Sequence, residues 1–158
     1  MGLFEAEIFL DRMPVTASNF IDMVVSGLYN DRRVNRDIPS CIECTGIGGI
    51  SDGVFRNLKT GCMEFRRNGG QILNEFTSRD SNERGTLSKE TTDLLNTDGS
   101  RFFINVTHNR FMDWFSPRDL RGSHLVFGQI TKGCDDVFEA IAVAPIEPMM
   151  INSITIRM

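Results

Sequence analysis

The chain has 158 residues, 41% of them hydrophobic and 24% charged, which are the proportions of a soluble globular domain and exclude a disordered or fibrous chain. Seventeen basic against 21 acidic side chains leave a net charge of −4, which argues against a general attraction to phosphate backbones, and no run approaches the roughly 20 apolar residues of a membrane span. Neither nucleic acid nor a membrane is therefore an expected partner.

The N-terminal run Met1-Gly2-Leu3-Phe4-Glu5 lacks the basic-then-apolar layout of a signal peptide, so the chain reads as cytoplasmic. A chain this long buries about 70% of its unfolded surface in one core, and residues 1–158 are expected to form a single domain acting as a monomer. Four cysteines, Cys41, Cys44, Cys62 and Cys134, read as thiols in a reducing compartment. The run Cys41-Ile42-Glu43-Cys44 has no second pair or spaced histidines to complete a zinc site. It is followed by Thr45-Gly46-Ile47-Gly48-Gly49 rather than by the helix a redox CxxC needs. No metal and no cofactor are expected.

Leu3 to Leu10 alternates, with Phe4, Ala6, Ile8 and Leu10 on one side, which predicts a half-buried first strand. Pro14 suits the first turn of a helix over residues 15–26, closed by Gly27. From Asp31 to Asn82 short apolar pieces stand among Gly, Asn, Arg and Ser, which suits short strands and long loops. Phe102 to Val106 and Leu125 to Ile130 read as clearer strands, and Asp135 to Ala142 reads as a short helix with Val137, Phe138 and Ile141 facing inward. Ile151 to Met158 reads as a last strand. Two separated helices among roughly eight strands, with no βαβ rhythm, predict a mostly β fold: a closed eight-stranded antiparallel barrel capped by two α-helices.

Several segments resemble one family in order and spacing. Val34-Asn35-Arg36-Asp37-Ile38-Pro39 is similar to the cyclophilin FHRVIP segment, and residues 96–104, NTDGSRFFI, to its NTNGSQFFI. Phe111-Met112-Asp113 resembles its WLD, and Ser123-His124-Leu125-Val126-Phe127-Gly128 its KHVVFG. The resemblance spans essentially the whole chain and implies the two-helix barrel and peptidyl-prolyl cis-trans isomerase activity on proline-containing peptides or proteins.

Such a site needs no covalent chemistry. Rotation about a peptide bond faces about 18–20 kcal/mol because the nitrogen lone pair is shared with the carbonyl. A guanidinium that donates to the proline nitrogen favours the twisted, non-conjugated amide, while an apolar socket holds the ring. The resemblance assigns the donor to Arg36 and the socket to Phe103, Met112 and His124, with Phe111 where many members carry Trp.

The departures fall in the same pocket. Cys41 and Ile42 stand for Phe and Met, Cys44 for a Gln that supports the arginine, and Arg101 for a second Gln. Thr91 and Thr92 stand for an Ala-Asn pair that contacts the substrate backbone. A weakened isomerase is the first reading, and a cyclophilin-fold module that binds proline segments with little turnover is the second. Weak cyclosporin binding is expected, because Phe111 lacks an indole N–H. Asp52 to Gly70 is longer than in small members, as in divergent ones with an added hairpin there.

Overall fold

The computed structural model describes residues 2–35, 41–44, 53–67, 70–91, 95–96, 98–116, 123–143 and 149–157. Within them the chain runs β1 (Glu5–Ile8), α1 (Pro14–Val25), β2 (Arg32–Asn35), β3 (Cys41–Cys44), β4 (Val54–Arg56) and β5 (Met63–Phe65). It continues through β6 (Thr86–Lys89), β7 (Phe102–Asn105), a 3-10 turn at Arg110–Met112, β8 (Leu125–Lys132), α2 (Cys134–Val143) and β9 (Met149–Ile151). Neither helix, nor any other among the described residues, is long and apolar enough to cross a membrane.

Seven strands form one sheet in the order β1-β8-β6-β7-β3-β2-β9, every neighbour antiparallel. Alternation sorts the side chains between its faces. Phe4, Ala6 and Ile8 of the first strand region, Leu87 of β6, Phe102 and Ile104 of β7, and Leu125 and Phe127 of β8 all join the core cluster. Helix α1 lays its stripe of Ala17, Phe20, Met23 and Val24 on that core, with the Phe20 ring 5.0 Å from Phe127, 5.2 Å from Phe102 and 5.5 Å from Tyr29. From α2, Val137 and Phe138 are buried as expected, while the Ile141 side chain lies outside the described residues.

Pro14 supplies the first-turn φ of α1 and Gly27, at φ 74°, ends the overhang. No side chain at Met13 caps the helix. Glu75 does so from sixty residues away, its carboxylate accepting from Val15 N at 3.1 Å and Thr16 N at 2.8 Å. Gly133 turns β8 into α2 at φ 76°, where a Cβ would drive into the Leu3 carbonyl. The long stretch before Gly70 contains a separate two-stranded hairpin, β4-β5, whose Phe55 faces inward, 2% exposed.

The sheet has two ends, β1 and β9. No hydrogen-bonded ladder joins them among the described residues, which show a mostly β fold of one seven-stranded antiparallel sheet with two helices; the eighth strand and the closure expected are not among what they show. The last strand is also earlier than expected. Arg32, Arg33 and Val34 of β2 pair with Ile151, Met150 and Met149, and Asp31 N reaches Asn152 O at 3.4 Å. Beyond that the chain leaves the ladder. Ile154 and Ile156 pack on the core instead, and Arg157 comes within 3.5 Å of Glu5 on β1, which also pairs with Lys132 at 3.0 Å. The seam is thus spanned by side chains.

Candidate functional site

The register of β6, β7 and β3 divides the expected site residues. Phe103 lies opposite Ser88, and Asn105 opposite Cys41; these share the sheet face turned away from the core cluster. Ile42 lies opposite Ile104, and Cys44 opposite Phe102, so both side chains belong to the core cluster, each 3% exposed. Phe103 is buried, and its ring meets the His124 imidazole edge-to-face at 4.9 Å and 89°. Arg36 and Thr92 lie outside the described residues.

His124 is fixed by its neighbours. Its Nδ1 is 3.1 Å from the Lys89 carbonyl and 3.3 Å from both Thr91 N and Thr91 Oγ1. Thr91 N donates to Nδ1, whereas the Lys89 carbonyl only accepts from it, so the two contacts answer to opposite tautomers and together fix the ring's position. Burial pushes its pKa down against the support of the Lys89 carbonyl and the Glu90 charge, which keeps the ring neutral at pH 7. Thr91 Oγ1 donates to the Ser123 carbonyl. Met112, half-buried, is tied to His124 through the main chain, His124 N donating to Met112 O at 2.8 Å. Phe111 stands at the rim, 53% exposed. Arg101, exposed on the same strand face as Phe103, pairs with Glu90 at 3.1 Å.

Beneath this surface runs a polar network that sequence reasoning missed. Asp113 accepts from Asn82 N at 2.7 Å, from Asn82 Nδ2 at 2.8 Å and from Ser81 Oγ. Asn82 Oδ1 accepts from Ser88 Oγ at 2.7 Å, and Asn105 Nδ2 donates to Ser88 Oγ at 3.0 Å and Thr86 Oγ1 at 2.8 Å. Asn109 Nδ2 donates to Asn105 Oδ1 at 2.7 Å and lies 3.6 Å from Cys41 Sγ. Cys41 is therefore a buried partner of the network rather than a wall of an open cleft. Asn109 O accepts from Met112 N at 2.8 Å, so the network locks the turn that carries Phe111 and Met112. The signal was present in Thr86-Leu87-Ser88 and Ile104-Asn105, where small polar residues alternate with core residues inside buried strands.

A second buried group lies on the core side. Lys89, opposite Phe102 and Leu125, is fully buried and donates to the Gly99 carbonyl. Burial holds its pKa at about 8 despite the Asp98 charge. Burial likewise raises Asp98 to about 6, opposed by Lys89 and by Asn74, which donates at 3.1 Å. Among the described residues no group of three or more His, Cys, Asp or Glu could hold a metal.

Comparison with known proteins decides the family. Residues 1–157 match the family described as cyclophilin type peptidyl-prolyl cis-trans isomerase/CLD. The chain belongs to the cyclophilin-type peptidyl-prolyl cis-trans isomerases. It is 32% identical over 145 residues to a peptidyl-prolyl cis-trans isomerase of Acinetobacter baylyi, covering 92% of this chain and 69% of that one. It is 31% identical over 159 residues to peptidyl-prolyl cis-trans isomerase B of Escherichia coli, covering 94% and 90%. The fold is similar to that of a Cryptosporidium parvum cyclophilin type peptidyl-prolyl cis-trans isomerase solved in the presence of the dipeptide Ala-Pro. That match has a TM-score of 0.70 at 22% identity and covers 98% of this chain and 92% of the other. Within this cyclophilin family, Phe103, Met112 and His124 are the residues of the outer face that the structure brings together.

Proposed function

We propose that this cyclophilin accelerates cis-trans exchange of X-Pro bonds in peptides and proteins on the face built from Phe103, Met112 and His124, with Arg36 as the donor to the proline nitrogen. The observation that carries this reading is the Phe103–His124 edge-to-face pair held over the Asn82–Asp113–Asn105–Asn109 network. It is a rigid apolar surface beside a neutral imidazole. A proline ring packs on such a surface without reorganising it, so binding energy remains for the twisted amide. The Ala-Pro dipeptide present with the Cryptosporidium protein is a molecule of this chemistry, beside a relative of the same fold.

Arg101, Thr91 and Thr92 supply polar contacts to the substrate main chain. With Cys41 held in the buried network and Ile42 and Cys44 turned to the core, this strand gives the ring less contact than Phe, Met and Gln would, so turnover is weakened, and cyclosporin binds weakly at Phe111. The protein works as one monomeric domain in the cytoplasm without a cofactor. Its sheet acts as a barrel, with the seam between β1 and β9 closed by Ile154, Ile156 and Arg157. Exchange spectroscopy on an Ala-Pro peptide, with and without the protein, tests the reading. Line broadening that reports faster exchange is expected. Saturable binding with unchanged exchange replaces the isomerase reading with the binding module.

A further inference from the structure

The β4-β5 hairpin presents an exposed face that the isomerase chemistry does not use. Val54, Leu58, Met63 and Phe65 are 48%, 44%, 54% and 74% exposed; they are four of the ten large apolar side chains exposed among the described residues. Val54 lies directly opposite Phe65, and Met63 opposite Arg56, so Val54, Met63 and Phe65 share one outward surface, with exposed Leu58 in the adjoining turn, while Phe55 closes the inner one. A solvated loop has no need of Met and Phe at these positions, and a contiguous apolar surface on a soluble domain marks an interaction site.

The charge around it is distinctive. Residues 53–67 carry Arg56, Lys59, Arg66 and Arg67 against one anion, Glu64, in a chain of net charge −4. Arg66 turns inward to Asp22 at 2.6 Å and to Asn19 Oδ1 at 2.8 Å, and Lys59 Nζ donates to Asp11 O. Arg56 and Arg67 are exposed with no acidic partner among the described residues.

The edge is open as well. Asn57 N donates to Cys62 O at 2.9 Å and Arg66 N to Gly53 O at 2.7 Å, so in β5 the main chain of 62, 64 and 66 turns toward β4. The N–H and C=O groups of Met63 and Phe65 turn the other way, with no partner among the described residues. Such an edge is a template for another strand.

We propose that the hairpin docks an extended segment of a partner protein, added as a third strand along β5, whose every second residue is large and apolar or acidic, so that both kinds share the face that continues the hairpin's outward surface. Its apolar side chains on that face cover Met63 and Phe65, and its carboxylates on the same face meet Arg67 and Arg56. A lipid surface or a nucleic acid would satisfy the charge but would leave the row of main-chain groups unused, so a polypeptide fits best.

The test uses a labelled, proline-free peptide whose alternate positions read Glu-Phe-Val-Glu with Ser or Thr between them, its Lys-for-Glu counterpart, and phosphatidylserine vesicles. The acidic peptide should bind and shift the amide resonances of residues 53–67. Binding should weaken roughly tenfold or more in the Lys peptide, in M63S/F65S and in R56E/R67E. X-Pro exchange by both variants should match wild type, which verifies their fold, and the peptide result stands whether or not wild type is an isomerase. Failure to bind, equal binding of both peptides, shifts centred on Phe103 and His124, or binding to the vesicles alone each overturns the proposal.

Discussion

A guanidinium beside a twisting amide nitrogen gains most when that nitrogen has lost its conjugation, so the proposed role of Arg36 is specific to the transition state. R36A should reduce X-Pro exchange strongly while peptide affinity, followed by titration, changes little. R36K should recover little, because an ammonium on a flexible stem does not reproduce the planar fork. At the buried pair, the signs are set by environment. Lys89 releases its proton near 8 in the folded protein but near 10.5 when unfolded, so the unfolded chain holds more protons between those values and stability rises with pH across them. Asp98 is raised from 3.8 to about 6, so stability falls as pH rises through that window. His124, pushed down by burial, opposes it by losing stability as pH drops below 6.5. Urea midpoints measured against pH should show the alkaline rise in wild type and not in K89M/D98N, whereas K89M alone leaves Asp98 without its counter-charge and destabilises the fold.

Helix α1 depends on a residue far away in sequence. Removing the Glu75 carboxylate returns Val15 N and Thr16 N to an uncapped end, and E75A should cost about 2 kcal/mol in chemical denaturation. The turn at Arg110–Met112 depends in the same way on Asp113. D113A strands buried Asn82 donors and should cost about 3 kcal/mol, with a fall in exchange rate beyond the stability loss because Met112 and His124 lose their support. Neither device was legible in the sequence, since Glu75 and Asp113 carry no local pattern that names partners sixty and thirty-one residues away. Helix α1, the Phe102-Phe103 strand and the Val126-Phe127-Gly128 strand were legible, because Pro14, Gly27 and runs of apolar residues mark them by local chemistry alone. Strand β3 was half legible. Cys41 and Ile42 could be matched to a family pocket, but a four-residue strand buried on both faces gives no alternation from which to read that Ile42 and Cys44 face the core.

At the scale of the whole molecule, the family is shown by similarity along the chain, whereas the closed barrel expected from strand count is not what the ladders describe. Strand count alone does not decide closure, because closing a sheet requires its two end strands to meet in register, and here the chain after Ile151 leaves β2 to lay Ile154 and Ile156 on the core. The strands β6, β7, β3 and β8 are each paired on both sides and carry the site, so they form the stable centre of the molecule.

The seam gives that arrangement a dynamic consequence. β1 and the segment after β9 are held across it by two isoleucines and by an exposed Glu5–Arg157 contact that salt screens. Parting there breaks no ladder among the described residues. In native-state hydrogen exchange, the amides of β1 and β9 should open at a fraction of the global unfolding free energy and lose further protection as salt rises, while those of β6 and β7 exchange only on global unfolding. Equal protection across all seven strands would show instead that the fold breathes as one unit, with no weak line between its first and last strands.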